Sequence, residues 1–362
     1  MDTRPSIVFD IFGVCPACNF AEKFGVIDWK ARDRELKTII NQTLFKKNSK
    51  YDCALGVSGG KDSIRLATYA KEVLGLNVLL INCSSSPEMV TELGVENIST
   101  LVEMGFDMIT IAPAPQTWKK LIKKSFYKYG NIHKTAEMAL YASTPRVALS
   151  YGIPLVFIGE NPAITLGELG TGSTGGDAGF MRNSNTIASG PDEFMDDEIT
   201  PEKLIWYRYP SIAETSRADL RILYLGYYIK DFGKIKNAEF SMSRGMQVRA
   251  DLPENMGDLT GYEQLDDHFA LINQMMKFLK LGFGKVADQV CEEIRLGSMT
   301  RDEGIELVRL YDGKCHEKYI RGFCDFIEIS YEEFWRVADS FRNKNLWELK
   351  NGEWVFKINP YI

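Results

Sequence analysis

Four short, almost unbroken apolar runs, separated by stretches long enough for helices, constrain this chain more than any other feature. They are Asp52–Val57 (DCALGV), Val78–Cys83 (VLLINC), Met108–Ala112 (MITIA) and Pro154–Gly159 (PLVFIG). A strand that is apolar at successive positions has to be covered on both faces, and strands joined through helices run parallel. The segments Ile64–Leu74, Met89–Met104 and Thr135–Ser150 read as the connecting helices. The pattern therefore predicts an α/β domain: a parallel sheet with helices on both faces.

The rest of the chain divides around that core. At roughly 150 residues per domain, 362 residues suggest two to three units. Residues 1–50 read as a leader with a Cys15-Pro-Ala-Cys18 element and a charged helix from Asp28 to Phe45. Residues 51–215 read as the α/β domain, and 216–362 as a mainly helical C-terminal domain. In that last part Thr300 with Glu303 and Ser330 with Glu333 have capping-box spacing, and Gly313 suits a helix end. Asn351-Gly352, between alternating residues in WELKNGEWVF, reads as a type I′ hairpin turn. Between Glu168 and Glu198 the sequence is rich in Gly, Ser, Asn and Asp, and reads as a long surface loop and candidate lid.

Composition narrows the function. With 45% apolar and 25% charged residues the chain is an ordinary globular protein. A net charge of −6 argues against a surface that grips nucleic acid throughout. Neither an apolar run of membrane-spanning length nor a secretory h-region is expected from the sequence, and the seven cysteines do not form a secreted disulfide pattern. The expectation is a cytoplasmic protein with reduced thiols and no membrane contact.

The chemistry concentrates in Ser58-Gly59-Gly60-Lys61-Asp62-Ser63, which follows the first apolar run and precedes a helix. Glycines let a backbone turn tightly against a phosphate, and the free N–H groups of a helix start point at the anion. Lys61 adds a point charge, and the Ser58 and Ser63 hydroxyls add donors. A Walker A loop would need Gly at position 55 and Ser or Thr at 62, where this chain has Leu55 and Asp62.

SGGKDS resembles the PP-loop of the ATP pyrophosphatases, which split ATP between its α- and β-phosphates. With GVCPACNF, YDCALGVSGGKDS, IPLVFIGENPA, YLGYYIKDFGK and YEQLDDHFALINQMMKFLKLGFGKVADQ, the chain resembles the N-acetyl sugar amidotransferase family along nearly its whole length. The fold implied is a five-stranded-type PP-loop sheet, adenine nucleotide alpha hydrolase-like. The activity implied is adenylation of the acetamido oxygen of a bacterial surface-polysaccharide sugar, followed by attack of ammonia. An acetamidino group, AMP and pyrophosphate result. The cofactors implied are ATP and Mg²⁺. The sugar implied is an N-acetylated one, nucleotide-linked or nonulosonic, and the partners are a glutaminase and ammonia-channelling subunits related to the histidine-biosynthesis amidotransferase. The alternatives are a PP-loop tRNA-modifying enzyme and a non-catalytic nucleotide-binding subunit.

Further candidates lie at strand ends, where open α/β sheets bind ligands. Gly159-Glu160-Asn161 matches the family's GEN motif. Glu160 is a candidate for Mg²⁺ or a sugar hydroxyl, and Asn161 for the substrate. Asn82 and Ser84, ending the second run, are placed for adenine or ribose. His133, Lys134 and Arg146 are candidates for an acidic sugar, and Lys61, Asp62 and Glu160 form the expected catalytic set. Cys15 and Cys18 have metal-ligand spacing. With Cys315, His316 and Cys324 they are candidates for zinc or an iron–sulfur cluster, the other reading being simple thiols; Cys53 reads as core packing. Gly170–Gly175 formally matches GxGxxG but lacks a strand before it and a helix after it. The basic run Lys119–Lys124, near Tyr127 and Tyr129, is read as a solvated helix face rather than an RNA contact.

Overall fold

A computed structural model describes residues 2–5, 7–45, 48–168 and 174–358. Its centre is a five-stranded sheet of β1 (Cys53–Val57), β2 (Val78–Cys83), β3 (Asp107–Ile111), β4 (Leu155–Ile158) and β5 (Arg221–Tyr224). The strands run in the order β3-β2-β1-β4-β5, and each neighbouring pair is parallel. The fold class is thus α/β with helices on both faces, extended by a helical C-terminal region.

Strand periodicity decides which side chain meets which layer. Ala54, Leu79, Ile81, Val156 and Ile222 face one cluster, with Trp118, Phe126, Val147 and the C-terminal Phe269, Phe323 and Phe334. Cys53, Leu55, Val57, Val78, Leu80, Leu155, Phe157 and Leu223 face the other, with Leu36, Ile64 and Leu101. Both layers are needed because successive positions along the central strands are apolar, so both faces of the sheet must be covered.

β5 lies in a stretch whose sequence reads as helix-dominated. It has four residues and directly follows the helix Ile212–Arg217, too short a run to stand out. Its free edge is covered: Ala178 N–H donates to the Ile222 carbonyl at 2.9 Å and Tyr224 N–H to the Gly176 carbonyl at 2.8 Å. This covers unpaired edge groups that would otherwise template aggregation. The covering segment belongs to the Gly-rich 168–198 stretch. Its described part is packed rather than an open loop, with Met181, Ile187 and Phe194 buried in the first core cluster. Residues 170–173 of the GxGxxG match lie outside the described residues.

After β5 the helices Lys234–Ser243, Ala270–Leu281, Lys285–Leu296, Arg301–Tyr311, Glu317–Ile327 and Tyr331–Ser340 follow, then the antiparallel pair β6 (Trp347–Lys350) and β7 (Glu353–Phe356). The turn between these strands has positive φ at Asn351 and Gly352, as a type I′ turn requires. Among the described residues, no helix is long and apolar enough to cross a membrane.

Candidate functional site

The strand order reverses beside β1: β2 and β3 extend the sheet one way, β4 and β5 the other. The crevice at such a reversal, beyond the carboxyl ends of the strands, is where open α/β sheets place ligands. Here the loop after β1 carries Ser58–Ser63, and the loop after β4 carries Glu160. Both line one cavity of ≈ 510 Å³.

The β1 loop is held in one shape. Gly59 has φ +78°, and a Cβ on it would sit 2.9 Å from the backbone of Asn97 and Ile98. Only glycine fits between this turn and the helix Glu92–Glu103 without a shift. Gly60 caps the helix Lys61–Thr68, whose first-turn N–H groups have no intrahelical acceptors. The Ser58 N–H donates to Ser63 Oγ at 3.0 Å, closing the loop on itself. The helix Lys234–Ser243 braces it from outside. Ser241 Oγ donates to the Lys61 carbonyl at 2.7 Å, and Asn237 Nδ2 donates to Asp62 Oδ1 at 2.6 Å.

Charge gathers across the cavity from elements far apart in sequence. Lys61 Nζ, on a residue only 6% exposed, lies 2.6 Å from Asp62 Oδ2 and 3.6 Å from Glu263 Oε1. Lys234 Nζ lies 3.3 Å from Glu263 Oε1 and 3.2 Å from Glu292 Oε2. Lys285 Nζ lies 2.7 Å from Asp258 Oδ2 and 3.5 Å from Glu263 Oε2. Beside them Asp288 pairs with both Lys277 and Arg4. Burial alone would lower the basicity of Lys61, but Asp62, Glu263 and Glu160 outweigh it and hold the group above the usual lysine range. Glu263 is pushed up by burial yet pulled well below the carboxylate range by Lys234, Lys285 and Lys61. Glu160 behaves in the opposite way. Burial, then the nearby Asp62 carboxylate, pushes it up to about 7. Glu137, on the same wall, is also raised, chiefly by burial. The cavity thus has an ion-paired lysine side and a carboxyl side, Glu160 and Glu137, that burial holds above the usual carboxylate range.

Of the residues singled out from sequence, Ser58, Gly60, Lys61, Asp62, Ser63 and Glu160 line this cavity, with Gly59 setting the turn. Asn161 is buried at the start of the helix Pro162–Thr165: it accepts from the Ala163 N–H at 2.9 Å and donates to the Gly175 carbonyl at 2.8 Å. Asn82 lies near the end of β2, opposite Val57, and Ser84 just after it donates its N–H to the Ile111 carbonyl; both are outside the cavity lining. His133 is buried against Asp267, with Nε2 3.2 Å from Oδ2. The Lys134 ammonium donates to the carbonyls of Asn185 and Thr186 at 3.3 and 3.2 Å. Arg146 donates to the Arg208 carbonyl at 2.5 Å, and neither it, His133 nor Lys134 lines the cavity. Lys119 and Lys124 pair with Glu328 and Asp196, a solvated ion-paired face.

The cysteines do not assemble into the expected metal set. Cys18 lies against Cys15 and Cys291, whereas Cys315 and Cys324 pack into the core cluster under the C-terminal helices. Among the described residues, no group of three His, Cys, Asp or Glu side chains is arranged to hold a metal ion. These thiols therefore do not fit zinc or an iron–sulfur cluster.

Sequence reasoning missed Lys234, Tyr262, Glu263, Lys277, Lys285 and Asp288, all of which line the cavity. None sits in a local motif of its own. The available signal was the glycine-lysine step Gly284-Lys285 opening a helix and the YEQ and KDFGK segments.

No curated protein matches the chain. Among solved structures, it is similar to the U34-tRNA thiolase NcsA from Methanococcus maripaludis with its 4Fe-4S cluster, at 12% identity and TM-score 0.35 over 81% of this chain and 80% of that one. It is also similar to the NH3-dependent NAD synthetase from Campylobacter jejuni, at 18% identity and TM-score 0.30 over 60% and 93%. For the NMN synthetase from Francisella tularensis the values are 13% and 0.30, over 62% and 99%. Residues 257–359 match the family model of the LPS biosynthesis protein WbpG-like C-terminal domain, so the helices that carry Lys277, Lys285 and Asp288 to the cavity beside the Ser58–Ser63 loop lie inside the matched span.

Proposed function

We propose that this protein is an ATP-dependent amidotransferase of lipopolysaccharide-sugar synthesis, working in the cytoplasm. The observation that carries this reading is the shared cavity. One wall is a glycine-rich phosphate loop, and the other comes from a segment like the WbpG-like domain. In the proposed reaction the acetamido oxygen of an N-acetylated, nucleotide-linked or nonulosonic sugar attacks the α-phosphorus of ATP. The O–P bond forms as the bond to the pyrophosphate breaks. Ammonia then forms a C–N bond to the activated carbon, AMP leaves with the former amide oxygen, and proton loss from nitrogen gives the acetamidino group. A partner glutaminase supplies the ammonia.

The residues present suit this chemistry. An amide oxygen leaves poorly until it is phosphorylated, so the departing pyrophosphate must be neutralised as charge develops, a task for the loop N–H groups and Lys61. Holding the sugar against ATP in a lined cavity also supplies orientation and keeps water from the adenylate. Mg²⁺ needs only one or two protein carboxylates beside substrate phosphates. Asp62 and Glu160 fit that need, since their mutual repulsion is what a divalent cation would relieve. When bound, the ion screens the phosphate charge.

The test is product analysis. The purified protein is incubated with ATP, Mg²⁺ and ammonium, together with N-acetylated nucleotide sugars, N-acetylated nonulosonic acids or tRNA. AMP and pyrophosphate dependent on a sugar, with a sugar product about one mass unit lighter from exchange of O for NH, is the expected result. ADP as product would overturn the adenylation step, and AMP formed only with tRNA would move the substrate to nucleic acid.

A further inference from the structure

Three ammonium groups from distant parts of the chain converge on one carboxylate. Lys61 follows β1, Lys234 opens the helix Lys234–Ser243, and Lys285 opens the helix Lys285–Leu296. Each already has a carboxylate of its own: Asp62 at 2.6 Å, Glu292 at 3.2 Å and Asp258 at 2.7 Å. Glu263 is additional and shared, with its two oxygens 3.3–3.6 Å from all three ammoniums. Lys61 and Lys285 are 6% and 5% exposed, so this focus is walled by buried cations opening into the cavity. A carboxylate at the meeting point of three lysines stands where a phosphoryl group would meet the same three donors.

The segment carrying it is built with turns on both sides. Gly261 has φ +65° and Gln264 has φ +52°, so Tyr262-Glu263 is bracketed by left-handed residues. Such residues mark positions where the backbone is locally strained or sharply turned.

We propose that the point shared by Lys61, Lys234 and Lys285 is a diphosphate-binding subsite that Glu263 fills while no ligand is bound. The inference rests on the amidotransferase reading for its ligand source, the pyrophosphate portion of ATP, because Lys61 belongs to the phosphate loop. Glu263 is thus an internal competitor that an incoming diphosphate displaces. Its carboxylate keeps three buried cations neutralised between turnovers and is exchanged for the substrate's own charge on binding.

Inorganic pyrophosphate is the probe, titrated calorimetrically into the full chain at fixed ionic strength. Glu263→Gln removes the competing charge but leaves each lysine paired, and is expected to bind pyrophosphate at least 10-fold more tightly than wild type. Lys285→Met, and separately Lys234→Met, should bind it at least 10-fold more weakly. Unchanged or weaker binding by a Glu263→Gln protein with a wild-type melting profile overturns the proposal. If that variant does not fold, the two lysine variants decide, and wild-type affinity in both overturns it. ATP should compete for the subsite; competition by a nucleoside-diphosphate sugar without competition by ATP would overturn the assignment to ATP. Sugar-dependent AMP formation by wild type, measured in parallel, separates failure of the subsite from failure of the enzymatic reading.

Discussion

At the scale of single residues, the buried charges around the cavity are each faced by an opposite charge. His133 is the clearest case outside the cavity. Desolvation alone would lower its basicity, but Asp267, Glu137 and Asp266 around it raise it above the ordinary value of 6.5. A base bound more tightly to its proton in the folded state contributes stability that is whole below the unfolded value. That contribution is lost as pH climbs through the raised folded one. Wild type is therefore expected to exceed His133→Asn by about 3 kcal/mol near pH 5.5, the order of loss when one partner of a buried ion pair is removed. The margin should shrink as the pH climbs above the ordinary histidine value of 6.5. Urea melts of both proteins across that interval measure it, and a constant margin would show that the ring acts only as a neutral packing group.

At the scale of elements, the turn of the Ser58–Ser63 loop depends on one glycine. An alanine at position 59 would have to adopt φ near +78° and place its Cβ 2.9 Å from the backbone of the helix Glu92–Glu103. The left-handed conformation alone costs about 1–2 kcal/mol for a residue with a Cβ. Gly59→Ala should lower stability by at least that much and weaken ATP binding, since the loop must move off the helix or turn differently. Thermal melting and equilibrium nucleotide titration are the checks, and unchanged affinity would mean that the turn does not set the site. This loop and β1 to β4 were legible because their signals are local: continuous apolar runs, and glycines between a strand and a helix. β5 was not, because four residues with their edge covered by 176–178 carry no period worth reading. The same contrast holds in the cavity. Lys61, Asp62 and Glu160 sit in readable strand-end motifs, whereas Lys234, Glu263 and Lys285 reach it only through tertiary packing across a hundred residues or more, which no local spacing encodes.

At the scale of the molecule, the C-terminal helices are tied to the sheet through one continuous core. Phe126, on the helix Pro115–Tyr129 that covers the sheet, stacks on Phe334 with centroids 5.3 Å apart, and both meet Phe323 edge-on at 5.5 and 6.1 Å. Phe269 closes the group against Phe323 at 5.5 Å, and all four belong to the cluster that holds Ala54, Val156 and Ile222. A core shared in this way ties the helix Ala270–Leu281, which carries Lys277 to the cavity, to the same packing that holds β1, so the halves of the cavity should be lost together. Calorimetry is expected to show a single cooperative transition, since opening either layer exposes the other. Phe334→Ala removes a fully buried ring and should cost about 3–5 kcal/mol. If the core is continuous, the whole transition moves to lower temperature. Two resolved transitions, with only the later one displaced by Phe334→Ala, would show instead that the helical layer unfolds on its own. The convergence of Lys234 and Lys285 on Lys61 would then depend on docking rather than on a common core.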